Sequence, residues 1–220
     1  MTSAAQDLAS TPVAARRSAD VTLADGTRLL LRPIVPSDKD LLREAFERLS
    51  PRSRYRRFFA PMNGLSSSML RMMTEVDYTN QFAWVALACE DERTQLVGVA
   101  RFVRLADPRA ADVALVVVDP YQGRGIGTLL LDALVLEALR GGICRLEGMV
   151  LADNVPMRTV LADAEARFSR DDEPGTVHFE IDLPARAVEL REHPLGDVLR
   201  RLARGEAELY RAEPCPWVIR

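Results

Sequence analysis

Lysine is nearly missing from this 220-residue chain: Lys39 stands alone, and the rest of the positive charge is arginine. A Walker-type phosphate loop needs a Gly-Lys-Ser/Thr run, so that loop is excluded. Histidine is almost as scarce, with His178 and His193 far apart. Cysteine occurs three times, as Cys89, Cys144 and Cys215, an odd number with no close pair. Neither a disulfide framework nor a metal-binding spacing is present. Cys89 and Cys144 lie in apolar runs and are expected as buried thiols. No apolar run reaches the ~18 residues of a membrane span. Residues 1–20 lack the apolar core of a secretory signal. A net charge of −3 offers no basic surface for nucleic acid. These absences predict a cytoplasmic protein that uses no metal and binds neither nucleic acid nor membrane.

What the chain does have is a strand, a glycine loop and a helix in direct succession. Residues 112–118 are apolar and β-branched, which reads as a buried strand. Asp119-Pro120-Tyr121 ends it, because proline cannot donate to a ladder. Gln122-Gly123-Arg124-Gly125-Ile126-Gly127 follows. Leu130, Leu131, Leu134, Val135 and Ala138 then fall on one helix face, and Gly141-Gly142 stops the helix. Glycines permit φ > 0 and leave no Cβ in a ligand's way. The first N–H groups of a helix are unpaired and carry its positive dipole end. The loop is therefore a candidate pyrophosphate cradle, to which Arg124 adds a full charge. The dinucleotide fingerprint wants glycines at offsets zero, two and five; Gly123 and Gly125 fit, but the third place is Thr128. Glu147 stands near the ribose-binding spacing, yet no second βαβαβ half follows. A dinucleotide site remains an alternative.

Around that unit, strands are expected over 21–23 and 28–34, joined through Asp25-Gly26. Ser37 or Asp38 caps a helix that presents Leu41, Leu42, Ala45, Phe46 and Leu49 on one stripe. Pro51 opens a short helix carrying Arg52, Arg54, Arg56 and Arg57. That cluster suits an acidic partner or phosphates or, more simply, a solvated face. A helix is expected over 66–76, and strands over 81–89 and 95–105 with 91–94 as their loop. A strand over 144–151 runs parallel to the central one, because a helix crosses between them. Asn154 caps a helix to about Arg167, and 176–183 is a last strand. The division expected is a disordered arm over 1–19, one domain over 20–184 and a helical extension over 185–220. In that extension Leu195, Val198, Leu199 and Leu202 form a stripe closed by Gly205.

Gln122-x-x-Gly125-x-Gly127, preceded by Val118-Asp119-Pro120 and followed by a leucine-rich helix, resembles the acyl-CoA-binding motif of the GNAT superfamily of acetyltransferases. Leu31-Arg32-Pro33-Ile34 with Ser37-Asp38 resembles the family's first strand and helix start. Leu49-Ser50-Pro51, Tyr55-Arg56-Arg57-Phe58-Phe59 and Val76-Asp77-Tyr78 resemble segments of bacterial protein-acetylating members. Asp153-Asn154-Val155-Pro156-Met157 resembles their last-helix start. The resemblance covers about residues 20–184. It implies an α/β GNAT fold, a mixed central sheet with splayed parallel strands flanked by helices. It also implies acetyl-CoA as co-substrate, no metal, and acetyl transfer to a primary amine, with a protein lysine favoured. A small-molecule amine as acceptor, or a non-catalytic acyl-CoA-binding regulatory module, stands as the alternative. The oligomeric state is open, with a homodimer as one option.

The same resemblance assigns the cofactor to Val116, Val117, Val118, Gln122, Gly123, Arg124, Gly125, Ile126, Gly127, Thr128 and Asn154. An ammonium acceptor with a pKa of ~10.4 must lose a proton before it attacks a thioester. The resembled enzymes carry a glutamate base near the start of the central strand, where this chain has the shorter Asp112. Glu147 on the next strand is the rival base, sharing a face with Arg145 and Met149 by period two. Many family members also carry a tyrosine acid in the last helix; none lies between Asn154 and Phe168 here. The thiolate is therefore expected to leave unassisted or to take its proton from water.

Overall fold

The computed structural model describes residues 17–90, 93–170 and 172–183. Strands β1 (Ala19–Thr22) and β2 (Arg28–Pro33) lead through a 3-10 turn (Pro36–Asp38) into α1 (Lys39–Glu47), α2 (Pro51–Phe58) and α3 (Ser67–Thr74). Strands β3 (Gln81–Glu90), β4 (Arg93–Arg104) and β5 (Ala110–Val117) follow. After a 3-10 turn (Asp119–Tyr121) come α4 (Ile126–Arg140), β6 (Arg145–Leu151), α5 (Val155–Asp163), β7 (Arg167–Arg170) and β8 (Thr176–Asp182). The described strands form one mixed sheet in the order β1-β2-β3-β4-β5-β6-β8-β7. Every pairing is antiparallel except β5 with β6.

Alternation along the strands sorts the core into two layers. Phe82, Trp84, Ala86 and Ala88 of β3 pack with the α4 side, where Leu130, Leu131, Leu134, Val135 and Ala138 are all buried. Ala83, Val85 and Leu87 pack on the other face with Leu42, Ala45 and Leu70 of α1 and α3. Gly98 lets α4 approach the sheet, since a Cβ there would lie 2.8 Å from Leu130 Cδ1. Trp84 Nε1 donates to the Ala133 carbonyl at 3.1 Å and ties the helix to β3.

Several expectations are corrected. Helix α5 stops at Asp163, four residues early: Glu165 takes φ 58° and Ala166 N–H returns to the Leu161 carbonyl. The chain thus reverses, and 167–170 becomes β7, an unforeseen strand paired with β8. Cys89 is exposed and Cys144 half-buried, where buried thiols were expected. Cys89 stands opposite exposed Thr94 at the end of the β3–β4 hairpin. Strand β4 starts at Arg93, so the expected loop over 91–94 is shorter. Residues 1–16, Cys215, His193 and the expected helix over 195–205 lie outside the described residues. Of the expected arm, 17–19 are placed: Arg17 ion-pairs with Glu137, and Ala19 opens β1.

The motif Leu31-Arg32-Pro33-Ile34 and the helix start at Asp38 meet in a buried ion pair. Arg32 is 5% exposed and Asp38 2%. The Arg32 guanidinium donates to both Asp38 oxygens, at 2.7 and 2.6 Å, and Val35 N–H donates to Oδ2 at 2.8 Å. Tyr78 Oη donates to the Ile34 carbonyl at 2.8 Å, so the exit from β2 is held from two sides. Asp38→Ala leaves a buried guanidinium unpaired and should cost about 3–5 kcal/mol by urea denaturation. The double variant Arg32→Met/Asp38→Leu should lie much nearer wild type. A loss below about 1 kcal/mol in Asp38→Ala would contradict this role.

A second carboxylate organises the entry to β3. Asp77 accepts N–H groups of Thr79, Asn80 and Gln81, at 2.9, 2.7 and 2.8 Å. Partial burial works against its charge, but the N–H of Gln81, then those of Thr79 and Asn80, outweigh it and hold the carboxyl at about 2. A depressed carboxyl contributes stability that is present above its unfolded value and is lost as pH falls through the folded one. The wild type should therefore lose stability between about pH 4 and about pH 2. Thermal melts of Asp77→Asn should show a shallower decline across that window.

Candidate functional site

The site begins where β5 and β6 part. Their parallel ladder holds three positions, Ala110 with Arg145, Ala111 with Leu146 and Asp112 with Glu147. Beyond it β5 stays with β4 through Val117, while β6 stays with β8 through Leu151. Each strand keeps its outer partner and presents an inner edge free of ladder bonds, which suits a ligand that carries amides. A Cβ on Gly148 would lie 3.0 Å from Phe179 Cζ and 3.0 Å from the Val113 carbonyl. Glycine therefore lets the buried Phe179 ring and β5 both come close at the point of parting.

A groove of about 270 Å³ opens there. Its floor is Leu115, Val116 and Val117 of β5; its walls are Gly123, Gly125, Gly127 and Thr128, with Asn154, Pro156, Met157 and Val160 opposite. Ser53, Arg56 and Arg57 of α2 close a third side. Gly123 and Gly125 take φ 75° and 84°, and nothing lies within 4 Å of a Cβ placed on either. The backbone needs glycine at both, and the space beside them is open. Gly125 caps α4 without any side-chain bond, so the helix meets the groove with its first N–H groups. Such a cradle fits a pyrophosphate.

The other expected cofactor residues divide. Gln122 turns its side chain inward, donating to the Val117 carbonyl at 2.9 Å and Ser53 Oγ at 3.3 Å. Arg124 faces Asp25 at 3.6 Å and Thr27 Oγ1 at 3.4 Å and lies over the Tyr121 ring, outside the residues that line the groove. Ile126 is buried in the core. Val118 lines a small apolar cavity behind β5 rather than the groove. Asn154 lines the groove but makes no capping bond to α5.

Sequence reasoning passed over Ser53, Leu115, Tyr121, Pro156, Met157 and Val160. The last three follow Asn154 within two helical turns, so the helix period from Asn154 was the available signal. Ser53 had none: it lies 66 residues from Asp119, whose Oδ1 accepts its hydroxyl at 3.0 Å. Asp119 also accepts Ser50 N–H at 3.0 Å and Ser50 Oγ at 2.7 Å, which fastens α2 to the glycine loop. Burial opposes the Asp119 charge, but the Ser50 and Ser53 bonds hold its carboxyl below the usual range.

Both candidate bases stand at the last shared ladder position, Asp112 opposite Glu147. Glu147 in turn opposes Glu180 on β8, so three acids cross the sheet in a row. Glu147 accepts from Arg145 Nε at 3.0 Å, and Glu180 pairs with Arg167 at 3.1 Å. Asp112 has no such partner among the described residues, and the residue as a whole is exposed. Partial loss of hydration raises its carboxyl above the usual range against the pull of Arg57. The charge of Glu147 adds to the rise, and those of Arg101 and His178 oppose it. The fold also brings ligand atoms of Glu147, His178 and Glu180 within 4.8 Å of one another. Sequence spacing expected no such cluster, because its members come from adjacent strands. Arginines already compensate both of its glutamates. No described helix is long and apolar enough to cross a membrane.

Known proteins resemble this chain in sequence and fold. Acetyltransferase Pat of Mycolicibacterium smegmatis is 35% identical over 165 residues, which are 74% of this chain and 48% of that protein. The chain thus spans about half the length of that relative. The crystal structure of the GNAT domain of S. lividans PAT superposes with a TM-score of 0.70 at 33% identity, over 76% of this chain and 97% of that one. A cAMP-binding acyltransferase from Mycobacterium smegmatis superposes with a TM-score of 0.56 at 31% identity, over 90% of this chain and 57% of that one. The family model described as Acetyltransferase (GNAT) family matches residues 40–162, more than half of the sequence. With the parted strands and the glycine-started helix on one groove, the chain belongs to the GNAT family of acetyltransferases.

Proposed function

We propose that this chain transfers an acetyl or related acyl group from acyl-CoA to a primary amine, with protein lysines as the acceptor class. The observation that carries the reading is the position of Asp112. It ends the β5–β6 ladder, on the strand whose Leu115, Val116 and Val117 floor a groove that leads to a helix start with no side-chain cap. Acyl-CoA would supply an activated thioester carbonyl. The N–H groups after Gly125 would hold its pyrophosphate, and the β5 edge near Val116 and Val117 would pair with the pantetheine amides. A β5 N–H would stabilise the oxyanion.

Asp112 would take the amine proton directly or through water, and its raised carboxyl is a better proton acceptor than an ordinary aspartate. Glu147 has its carboxylate engaged by Arg145, which leaves Asp112 as the base. Of the row Asp112, Glu147 and Glu180, arginines engage the two glutamates, so among the described residues Asp112 is the acid left to meet a cationic side chain approaching along this face. The names of the relatives, an acetyltransferase Pat and a GNAT domain of PAT, support the acyl-transfer reading.

Saturating CoA should raise the melting temperature of the wild type by mass action. Gly125→Asp should abolish that rise, because it sets a carboxylate at the phosphate cradle and strains a residue at φ 84°. A rise with NAD and none with CoA would sink the proposal.

Asp112→Asn keeps the shape and removes the basic site. Turnover should fall by roughly 10²–10⁴ while CoA affinity changes little. Asp112→Glu should retain or raise activity by restoring reach. Full activity in Asp112→Asn together with a dead Glu147→Gln would move the base to β6. CoA binding with no thiol release for any amine would mark the chain as a binding module instead.

A further inference from the structure

The reacting end of the groove holds more positive charge than its acids answer. Arg101 on β4 is 8% exposed, and its side chain donates to neutral Gln81 Oε1 at 3.3 Å. Arg57 on α2 is half-buried and lies over the Phe58 ring at 5.1 Å. Among the described residues, neither guanidinium has a carboxylate oxygen within the 4.0 Å of an ion pair. Both line the apolar cavity behind β5, of about 40 Å³, and Arg57 with Val116 also lines the cofactor groove. Arg57 therefore stands between the two spaces.

The pair is under electrostatic stress. Burial, and then the charge of Arg101, push Arg57 down to about 10, with Asp112 opposing. Burial likewise lowers Arg101, again with Asp112 opposing. Desolvated guanidinium groups stay charged and need an anion. Asp112 acts on both but is itself solvent-exposed and serves as the proposed base. Register places Arg101 opposite Ala114, whose side chain shares a face with Asp112 and Val116. A small residue thus leaves room beside the arginine between the base and the proposed pantetheine-binding edge.

We propose that Arg57 and Arg101 bind a carboxylate carried by one of the two reactants. It is either the terminal carboxylate of a dicarboxylic acyl group on CoA or a carboxylate on the amine acceptor. The inference rests on the acyl-CoA reading of the groove. Planar guanidinium forks match a carboxylate and reject an uncharged group of the same size. The adjoining cavity gives space for the few atoms that separate such a carboxylate from the reacting carbon.

Two comparisons on the full chain separate the sources. The first is calorimetric titration with succinyl-CoA against butyryl-CoA, which differ in the terminal carboxylate. The second is kcat/KM with acetyl-CoA for Nα-acetyl-lysine against its methylamide, read as binding in the presence of CoA if no turnover occurs. The carboxylate-bearing member of one pair should win by roughly ten- to a hundredfold, the range of a hydrogen bond to a charged group. Arg57→Gln and Arg101→Gln, checked for folding by thermal melts, should bring that ratio close to one. Because the ratio is read, general losses in either variant cancel. If Arg101→Gln does not fold, Arg57→Gln decides. Ratios within about twofold in both wild-type pairs, or a preference that survives substitution, would overturn the proposal. Failure to bind CoA at all would instead overturn the acyl-CoA reading, so the two failures are distinguishable.

Discussion

The brief pairing of β5 with β6 is the constraint on which the rest depends. Three ladder positions keep the two halves of the sheet in one plane and then release them. Had the ladder continued, the inner edges would bond each other and leave nothing for a ligand. Had it been absent, Asp112 and Glu147 would not share a register position. The release costs little, because each strand is already paired along its outer edge, with β4 or with β8. Gly148 is part of that balance, since a Cβ there would press on the Phe179 ring and the Val113 carbonyl at once.

The helices then close the groove through polar ties rather than apolar packing alone. Asp119, at the end of the central strand, gathers Ser50 and Ser53, while Gln122 reaches both Ser53 and the Val117 carbonyl. Arg56 extends the tie by donating to the Asp153 carbonyl at 3.0 Å. The position of α2 is thereby linked to both the glycine loop and the start of α5. Upstream, the buried pair Arg32–Asp38 directs the chain from β2 into α1. A rigid frame of this kind holds a cofactor groove without needing a large apolar contact between its walls.

Charge is distributed unevenly over the active face. Arg101 stands opposite the small Ala114 and Arg57 lines the groove, whereas Asp112, Glu147 and Glu180 run the other way toward β8. The positive and negative groups do not neutralise each other pairwise. Asp112 stands between the two groups; loss of hydration raises its carboxyl, Arg57 pulls against the rise and Glu147 adds to it. A reactant with an amine at one end and a carboxylate within a few atoms of the reacting centre would complement both sides.

Local features of this fold were legible in the residues themselves. The strand over 112–118, the glycine loop and the leucine-rich helix were readable because strand alternation, helix period and positive φ are set within a few residues. The parallel return of β6 followed from the helix crossover. The motif resemblance then brought the family, the groove and the acid Asp112 into view. Tertiary structure alone decided the rest. It made 167–170 a strand, because the β8 edge was there to receive it. It left Cys89 exposed, turned Arg124 toward Asp25 and turned the Gln122 side chain onto the β5 carbonyl. It also placed Ser53 on Asp119 and, among the described residues, left Arg57 and Arg101 without an acid within ion-pair distance. Each of these depends on contacts between residues far apart in sequence, whose distances no local spacing encodes. The sequence by itself determined which elements form and which backbone groups are free to bind; only the packing of those elements decided which charges remain unanswered.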